Sequence, residues 1–487
     1  MPRLPPGRKA FLRAFSIVTL LIEEEESDVT TLQLHDLTQK YLKMKEKTSL
    51  QRSIAAKSRK KKGRVSWQAF NSSLTDSQFR RMFRMSKNCF AYMVSTIEAK
   101  VGREKFKSDE FLNSMEKNGS PFHRMAYVHK RATGGFICGE IKMAITLRML
   151  AGGSYLDLFM LYDVFHTYPY QIMDTVLEEW IGNDAIFPIS GKDYLNDEEK
   201  MRNVAKDFEE GCRCGAFQGC IGALDGWLVK IKKPSSKDGV KFPGDFFSRK
   251  GFYAINVQVL VDRKKRVLYK SILCRGAEHD SSAFKASDLY SLLMEKKADL
   301  QEQGLYMIGD SAYSIRSFII VPYDNAFHGT GEDTFNFYHS SSRIVVECAF
   351  GEIDMRWGIL WKPLRFTLKK STKVIDACLR LHNFIVDYRE SVRSYQVSGN
   401  TVGEVDMFLS EVRRSNAEDR SSATGVFGGE EEQRLDVRRG RPPMEETVSR
   451  EDGLVIRDEI KNKIADGNWI RPKTNWYRTE NRFITND

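Results

Sequence analysis

No apolar run in this chain of 487 residues approaches the roughly 20 residues that a membrane-spanning helix needs. The nearest, residues 14–22, follows Arg3, Arg8, Lys9 and Arg13 and so imitates a short signal peptide. What comes after it is Glu23-Glu24-Glu25-Glu26, with no small-residue cleavage site, and the stretch reads as a terminal helix or fusion scar on a soluble protein. A zinc template is also missing. Of the eight cysteines only Cys212, Cys214 and Cys220 cluster, and no nearby second pair of cysteines or histidines completes a ligand set. Scattered cysteines of this kind fit reduced thiols in an intracellular compartment. Acidic residues are outnumbered: 76 lysines and arginines against 65 aspartates and glutamates leave a net charge of +11, with an isoelectric point near 9.1. That balance points to a polyanionic partner, nucleic acid before membrane. What the chain does have is a hydrophobic fraction of 41%, enough for a substantial core, and length for about three domains.

Four regions follow from the patterning. Residues 1–66 form a charged, weakly patterned arm, largely disordered. Its run Lys57, Arg59, Lys60, Lys61, Lys62 and Arg64 reads equally as a nuclear-localisation signal or phosphate-binding arm and as a solvated linker. Residues 67–215 are helical, with apolar residues recurring at three and four through Phe79, Phe83, Phe90, Met93 and Ile97, and again through Ile141, Ile145 and Leu150. The turn Gly152-Gly153-Ser154 between two such stretches is compatible with a helix-turn-helix DNA-binding unit, though many helical bundles contain such a turn without touching DNA, and from spacing alone the ordinary bundle is the favoured reading.

Near residue 216 the period changes. Residues 221–231, 254–261 and 267–273 read as three strands joined by short connections, hence an antiparallel meander. A helix over 282–296, strands over 305–310 and 318–321, and helices over 343–358 and 374–388 complete the region 216–390. Three antiparallel strands, helix, strand, strand, helix is the order of an RNase H-like α/β core. Residues 391–487 turn polar and read as a flexible tail with a short helix around 456–464. Within it, Arg438-Arg439-Gly440-Arg441-Pro442-Pro443 resembles an AT-hook, in which Arg439 and Arg441 would enter a narrow A/T minor groove; a plain basic linker is the other reading.

Asp225 lies inside the apolar stretch Gly222-Ala223-Leu224-Asp225-Gly226-Trp227, where a carboxylate is costly unless paired or holding a metal. Asp310 ends the fourth strand, next to the first in an RNase H-like sheet, and Glu347 lies on a helix able to cross the same edge. Three acids converging from different elements are what two-metal phosphodiester cleavage requires, and Mg2+ suits such a site because it takes few carboxylates and keeps its waters. The competing reading is structural: Asp310 as a strand terminator, and Glu347 paired with Arg343 one turn earlier. Asp280 suits either the orienting of a metal ligand or water or the capping of the helix that begins near Ser282, and His279 is a further general-base candidate. Lys230, Lys232, Lys233, Arg249 and Lys250 are candidate phosphate contacts, or merely solvated.

Six segments carry a resemblance. Gly222-Ala223-Leu224-Asp225-Gly226, Phe247-Ser248-Arg249-Lys250-Gly251-Phe252 with Ile255-Asn256-Val257-Gln258, Gly276 with His279-Asp280-Ser281, Gly309-Asp310-Ser311-Ala312-Tyr313, Val346-Glu347-Cys348-Ala349-Phe350-Gly351, and Leu381-His382-Asn383-Phe384 occur in the order found in the PIF/Harbinger transposases and their domesticated nuclease relatives. The helical block around residues 150–155 is also similar to the region before the nuclease in that family. Ser314 departs from the proline usual after Ala-Tyr. The resemblance implies a DDE endonuclease or transposase with Asp225, Asp310 and Glu347 as catalytic metal ligands for Mg2+, or Mn2+ in its place. Its substrate would be double-stranded DNA at terminal repeats and a target site. It further implies a homo-oligomer, a separate DNA-binding partner protein and a nuclear location. A domesticated, catalytically silent DNA-binding protein is the rival, and a metal-dependent hydrolase of another substrate a distant third.

Overall fold

The computed structural model describes residues 67–101, 137–162, 164, 167–397 and 444–472. These all fall in one compact unit, Val65–Asp487. The arm 1–66, with its basic run, and Arg439 and Arg441 lie outside the described residues.

Helices lead, as the three-and-four spacing predicts. α1 (Trp67–Ser73), α2 (Asp76–Phe83) and α3 (Lys87–Val101) gather Trp67, Phe79, Phe83 and Phe90 into one aromatic cluster with ring centroids 4.6–6.3 Å apart. Thr75 and Gln78 close a reciprocal capping box at the start of α2, which satisfies two amides the helix itself leaves open. Next come α4 (Gly139–Leu150), the Gly152-Gly153 turn, α5 (Tyr155–Tyr162), and α6 (Tyr168–Thr175), which runs into a π-helical turn, Val176–Ile181. α4 is buried nearly all round, so it is a core helix. The turn after it docks on the sheet domain: Gly152, at φ +92°, brings its backbone so close to Gly358 that a Cβ would lie 3.2 Å from that residue's carbonyl carbon. The helical block and the sheet therefore share one core.

α7 (Glu198–Gly211) leads into the sheet, made of β1 (Cys220–Lys230), β2 (Ala254–Val261), β3 (Val267–Arg275), β4 (Tyr306–Ile308) and β5 (Ile319–Ile320) in the order β3-β2-β1-β4-β5. β1, β2 and β3 are antiparallel neighbours, whereas β4 lies parallel to β1 and β5 parallel to β4. The single helix expected over 282–296 is broken: α8 (Asp280–Lys285) and α9 (Asp288–Glu295) are separate, and α10 (Lys297–Glu302) follows. Ser287 breaks the run by capping α9, its hydroxyl accepting from the Tyr290 amide.

α11 (Gly331–Arg356) starts twelve residues before the predicted helix, at an N-cap where the Thr330 hydroxyl accepts from the Asp333 amide. α12 (Leu368–Val397) ties the helical block to the sheet. Lys370 pairs with Asp174 at 2.6 Å and Arg380 with Asp184 at 2.6 Å, while Arg380 also donates to the Phe187 carbonyl. On the same helix Asn383 gives and takes hydrogen bonds with the backbone of Val267 (2.8 and 2.7 Å). It thereby satisfies edge strand β3 as a neighbouring strand would.

At the other edge, residues 444–472 depart from the reading of 391–487 as a flexible tail, while 398–443 and 473–487 lie outside the described residues. α13 (Met444–Asp466) docks beside β5. The Ser449 and Ser317 hydroxyls lie 3.2 Å apart, Arg457 donates to the Pro322 carbonyl and stacks 3.8 Å over the Tyr323 ring, and the Tyr323 hydroxyl donates to Asp458. Gly453 permits this approach, since a Cβ there would stand 2.6 Å from the Arg316 backbone.

Candidate active site

Side chains two apart on a strand share a face, and residues seven apart on a helix do so too. Trp227 on β1 stacks on Phe350 of α11 with centroids 5.5 Å apart. Two residues before the tryptophan is Asp225; seven before the phenylalanine is Arg343. The stacking therefore sets the register that brings these two together, with Arg343 Nη1 donating to Asp225 Oδ2 at 2.9 Å. The other guanidinium nitrogen of Arg343 donates to Glu347 Oε1. One arginine fork thus holds two carboxylates that lie on different elements of the fold.

Asp310 lies two residues beyond β4, whose neighbour is β1, and its Oδ1 accepts from the Ala312 amide at 3.0 Å. Burial raises the Asp225 carboxyl from 3.8 to about 6; Arg343 and the Gly226 amide pull it down, and Asp310 and Asp280 push it up. Asp310 is raised as well, again chiefly by burial, with Arg343 acting against the rise. The three acids thus feel one guanidinium. They do not stand as a preassembled cage: among the described residues no three acidic, histidine or cysteine side chains are grouped closely enough to hold an ion. The direct convergence expected of the three is therefore corrected, and the physical reason is that like charges with no metal ion to neutralise them are kept apart by a protein cation seated between them. Here that cation is Arg343, and the Arg343–Glu347 pairing weighed as the structural reading is present.

The donor set suits a hard dication, being carboxylate oxygen throughout. Asp225, Asp310 and Glu347 are the residues that would hold it, once Arg343 releases Asp225 and Glu347.

Asp280 lies against the opposite face of the sheet. It is the first residue of α8, whose N-cap is His279, and neither provides a side-chain cap; the cap reading of Asp280 is corrected accordingly. Its Oδ1 accepts from Asn256 Nδ2 (2.9 Å) and Gln258 Nε2 (3.3 Å), and its Oδ2 faces Arg249 Nη2 at 3.5 Å. Gln258 in turn accepts from the Tyr313 hydroxyl at 2.7 Å, so this buried network ties α8 and β2 to the turn that carries Asp310. Gly226 makes room for it, because a Cβ there would lie 2.1 Å from Asp280 Oδ1. Spacing did not reveal these roles for Asn256, Gln258 and Tyr313. The signal was present: two amides inside a strand buried at every position must find partners.

His279 is exposed. Lys230, Lys232, Lys233, Arg249 and Lys250 are also exposed, along the end of β1 and the segment 231–253 that follows it. The Lys230 ammonium lies 5.0 Å from the Phe252 ring centroid. Cys212 and Cys214 are free thiols with sulfurs 3.2 Å apart. No helix among the described residues is long and apolar enough to cross a membrane.

Residues 224–383 match the family model described as DDE superfamily endonuclease, a span that contains all three acids. Among curated proteins, "Protein ALP1-like" of Arabidopsis thaliana is 21% identical over 342 residues, covering 66% of this chain and 73% of that protein. "Putative nuclease HARBI1" of Bos taurus is 26% identical over 184 residues, and its Homo sapiens counterpart 24% over 184; each match covers 37% of this chain and 50% of the relative. The chain thus spans about half the length of those nuclease-named relatives. No solved structure matches it. Over residues 224–383 the chain carries a domain of the DDE superfamily endonuclease family.

Proposed function

We propose that the protein is a metal-dependent DNA endonuclease of transposase type, with an RNase H-like core and Asp225, Asp310 and Glu347 as its catalytic acids. The observation that carries this reading is Arg343. A single guanidinium gathers Asp225 and Glu347, 122 positions apart in the chain (347 − 225), beside the turn of Asp310. Acids collected this way around one cation form a site for positive charge. The sheet order, three antiparallel strands followed by two parallel ones, supports the RNase H-like assignment.

Divalent cations, Mg2+ or Mn2+, would activate the attacking oxygen and stabilise the leaving one when bound. The protein's own part is to present carboxylates in ionised form and to seat the phosphate backbone. With its carboxyl near 6, Asp225 is ionised above that pH. Lys230, Lys232, Lys233, Arg249 and Lys250 would contact phosphates along the edge where β1 leaves the sheet. Asp280 acts at a distance, holding Gln258 and through it Tyr313 and the Asp310 turn; His279 is left as an exposed neighbour without a required role.

The substrate on this reading is duplex DNA at terminal repeats and a target site, cut by a nuclear homo-oligomer that works with a separate DNA-binding partner protein. Purified protein with Mg2+ should nick duplex DNA bearing its repeats. Asp225→Asn should abolish cutting and leave binding intact, and cutting that survives the substitution defeats the assignment. The rival, a catalytically silent DNA-binding descendant, draws on the same contact, since Arg343 neutralises two of the acids. It predicts duplex binding without cutting at any metal concentration.

A further inference from the structure

The candidate phosphate contacts on 230–250 account for only part of the basic surface. A second concentration lies beyond the far end of α11. Three adjoining cavities of about 370, 460 and 280 Å³ share Arg389 of α12 in their walls. Arg80, Arg81 and Arg84 of α2 form one bank, and Arg389 and Arg393 another. The β2–β3 turn closes the end with Arg263, Lys264 and Lys265.

The acids present do not balance this charge. Glu352 alone faces Lys265 at 2.5 Å, Arg356 at 3.7 Å and Arg389 at 3.7 Å, Glu390 pairs with Arg393 at 3.0 Å, and Lys264 reaches Asp207 at 2.9 Å. Arg80, Arg81 and Arg84 make no ion pair among the described residues, and the Arg84 Nε is buried without a hydrogen-bond partner. Arg84 also ends α2 in a left-handed conformation, φ 64°, which a side chain of its type adopts only at a cost. Packing like charges at this density is unfavourable unless an anion joins them.

The groove is connected to the acid site by a track along α11. Ile344, Glu347, Cys348, Gly351 and Met355 are the exposed stripe of that helix, spaced three and four apart as one face requires. The stripe runs from Glu347 to Met355, which lines the groove. Eight residues of helix span about 12 Å, three to four base pairs of duplex at ~3.4 Å each. Gly351 keeps the middle of the track low, with open space where its side chain would be.

We propose that this arginine groove is a second seat for the phosphate backbone of duplex DNA, continuing past the Asp225 site along α11. The proposal rests on the nuclease reading for the identity of the polyanion. Its geometry makes the groove independent of the metal site, so binding can be measured without cutting.

The test uses the full chain in EDTA with a fluorescent duplex, its anisotropy followed over 50–300 mM KCl. Each phosphate contact contributes about 0.9 to the slope of log affinity against log salt. The Arg80→Gln/Arg81→Gln/Arg393→Gln variant should therefore flatten the slope by about 2.7 and weaken binding roughly tenfold or more at 100 mM salt. The surface change Arg81→Glu, made alone, should weaken binding severalfold and keeps the test usable if the triple variant misfolds. Slopes and affinities equal to wild type overturn the groove, as does lost binding of an acidic peptide or RNA with duplex binding intact. A flattened slope in a protein that never cuts DNA upholds the groove and removes the nuclease reading instead. Cutting by wild type with unchanged slopes does the reverse.

Discussion

Replacing Asp225 by asparagine removes a charge the fold holds at a cost, and the size of that cost can be read from its surroundings. The Asp225 side chain is 16% exposed, and burial lifts its carboxyl from 3.8 to about 6 even with Arg343 pulling against the rise. At about 1.4 kcal/mol per pH unit, that displacement is worth about 3 kcal/mol. The sign follows from linkage: a carboxyl raised in the folded state binds its proton more tightly than in the unfolded chain. Its favourable contribution is complete below pH 3.8 and is lost as pH rises through about 6. Wild type should therefore lose about 3 kcal/mol from this group between pH 4 and 7, whereas Asp225→Asn, a permanent mimic of the neutral acid, loses none. In urea unfolding with EDTA present, the variant should match wild type near pH 4 and exceed it by about 2–3 kcal/mol at pH 8. A variant no more stable at pH 8, or a gap that does not change with pH, refutes the account of Asp225 as a destabilised, buried charge.

Two other outcomes follow from the same geometry. Arg343→Gln leaves Asp225 and Glu347 without their shared cation, so Mn2+ binding followed by electron paramagnetic resonance of the free ion should tighten by roughly three- to tenfold; weaker binding would show that Arg343 does not compete for the site. Gly453→Val drives a side chain into the Arg316 backbone, where even a Cβ has only 2.6 Å. It should cost about 2 kcal/mol or more and make α13 sensitive to protease, and an unchanged digestion pattern would contradict the docking.

The strands were legible wherever one rule acted alone. β1, β2 and β3 follow apolar runs or strict alternation, so their positions agree with the pattern to within two residues. Helix ends were less so. Ala286 continues a helical pattern as well as any residue, and only the competing cap at Ser287 divides α8 from α9. The first half of α11, from Gly331 on, is polar enough to read as loop, yet it buries Phe335, Tyr338 and His339. α13 was read short because its composition is charged and it contains Gly453, whose use becomes visible only against Arg316.

At the site, Asp225 and Asp310 stood out because an acid in or beside an apolar strand demands a reason. Arg343 and Glu347 were visible as an i,i+4 pair. What no local pattern contains is the reach of Arg343 to a strand 118 residues earlier. That contact depends on the stacking of Trp227 and Phe350, two residues with no relation in sequence. The arginine groove was hidden for the same reason, its banks coming from α2, the β2–β3 turn and α12.

The docking of α13 has a kinetic consequence. Ser449 closes on Ser317 across 132 residues, so the outer edge of β5 is completed by a segment synthesised long after the strand itself. A nascent chain can pair β1 with β2 and β3 as they emerge, since those contacts are local, but the Asp310 side of the sheet must wait for a loop closure of that length. Such closures set the pace of folding more than they set its final stability. The half of the sheet bearing Asp310 should thus mature last, leaving an unpaired strand edge open to other chains in the interval.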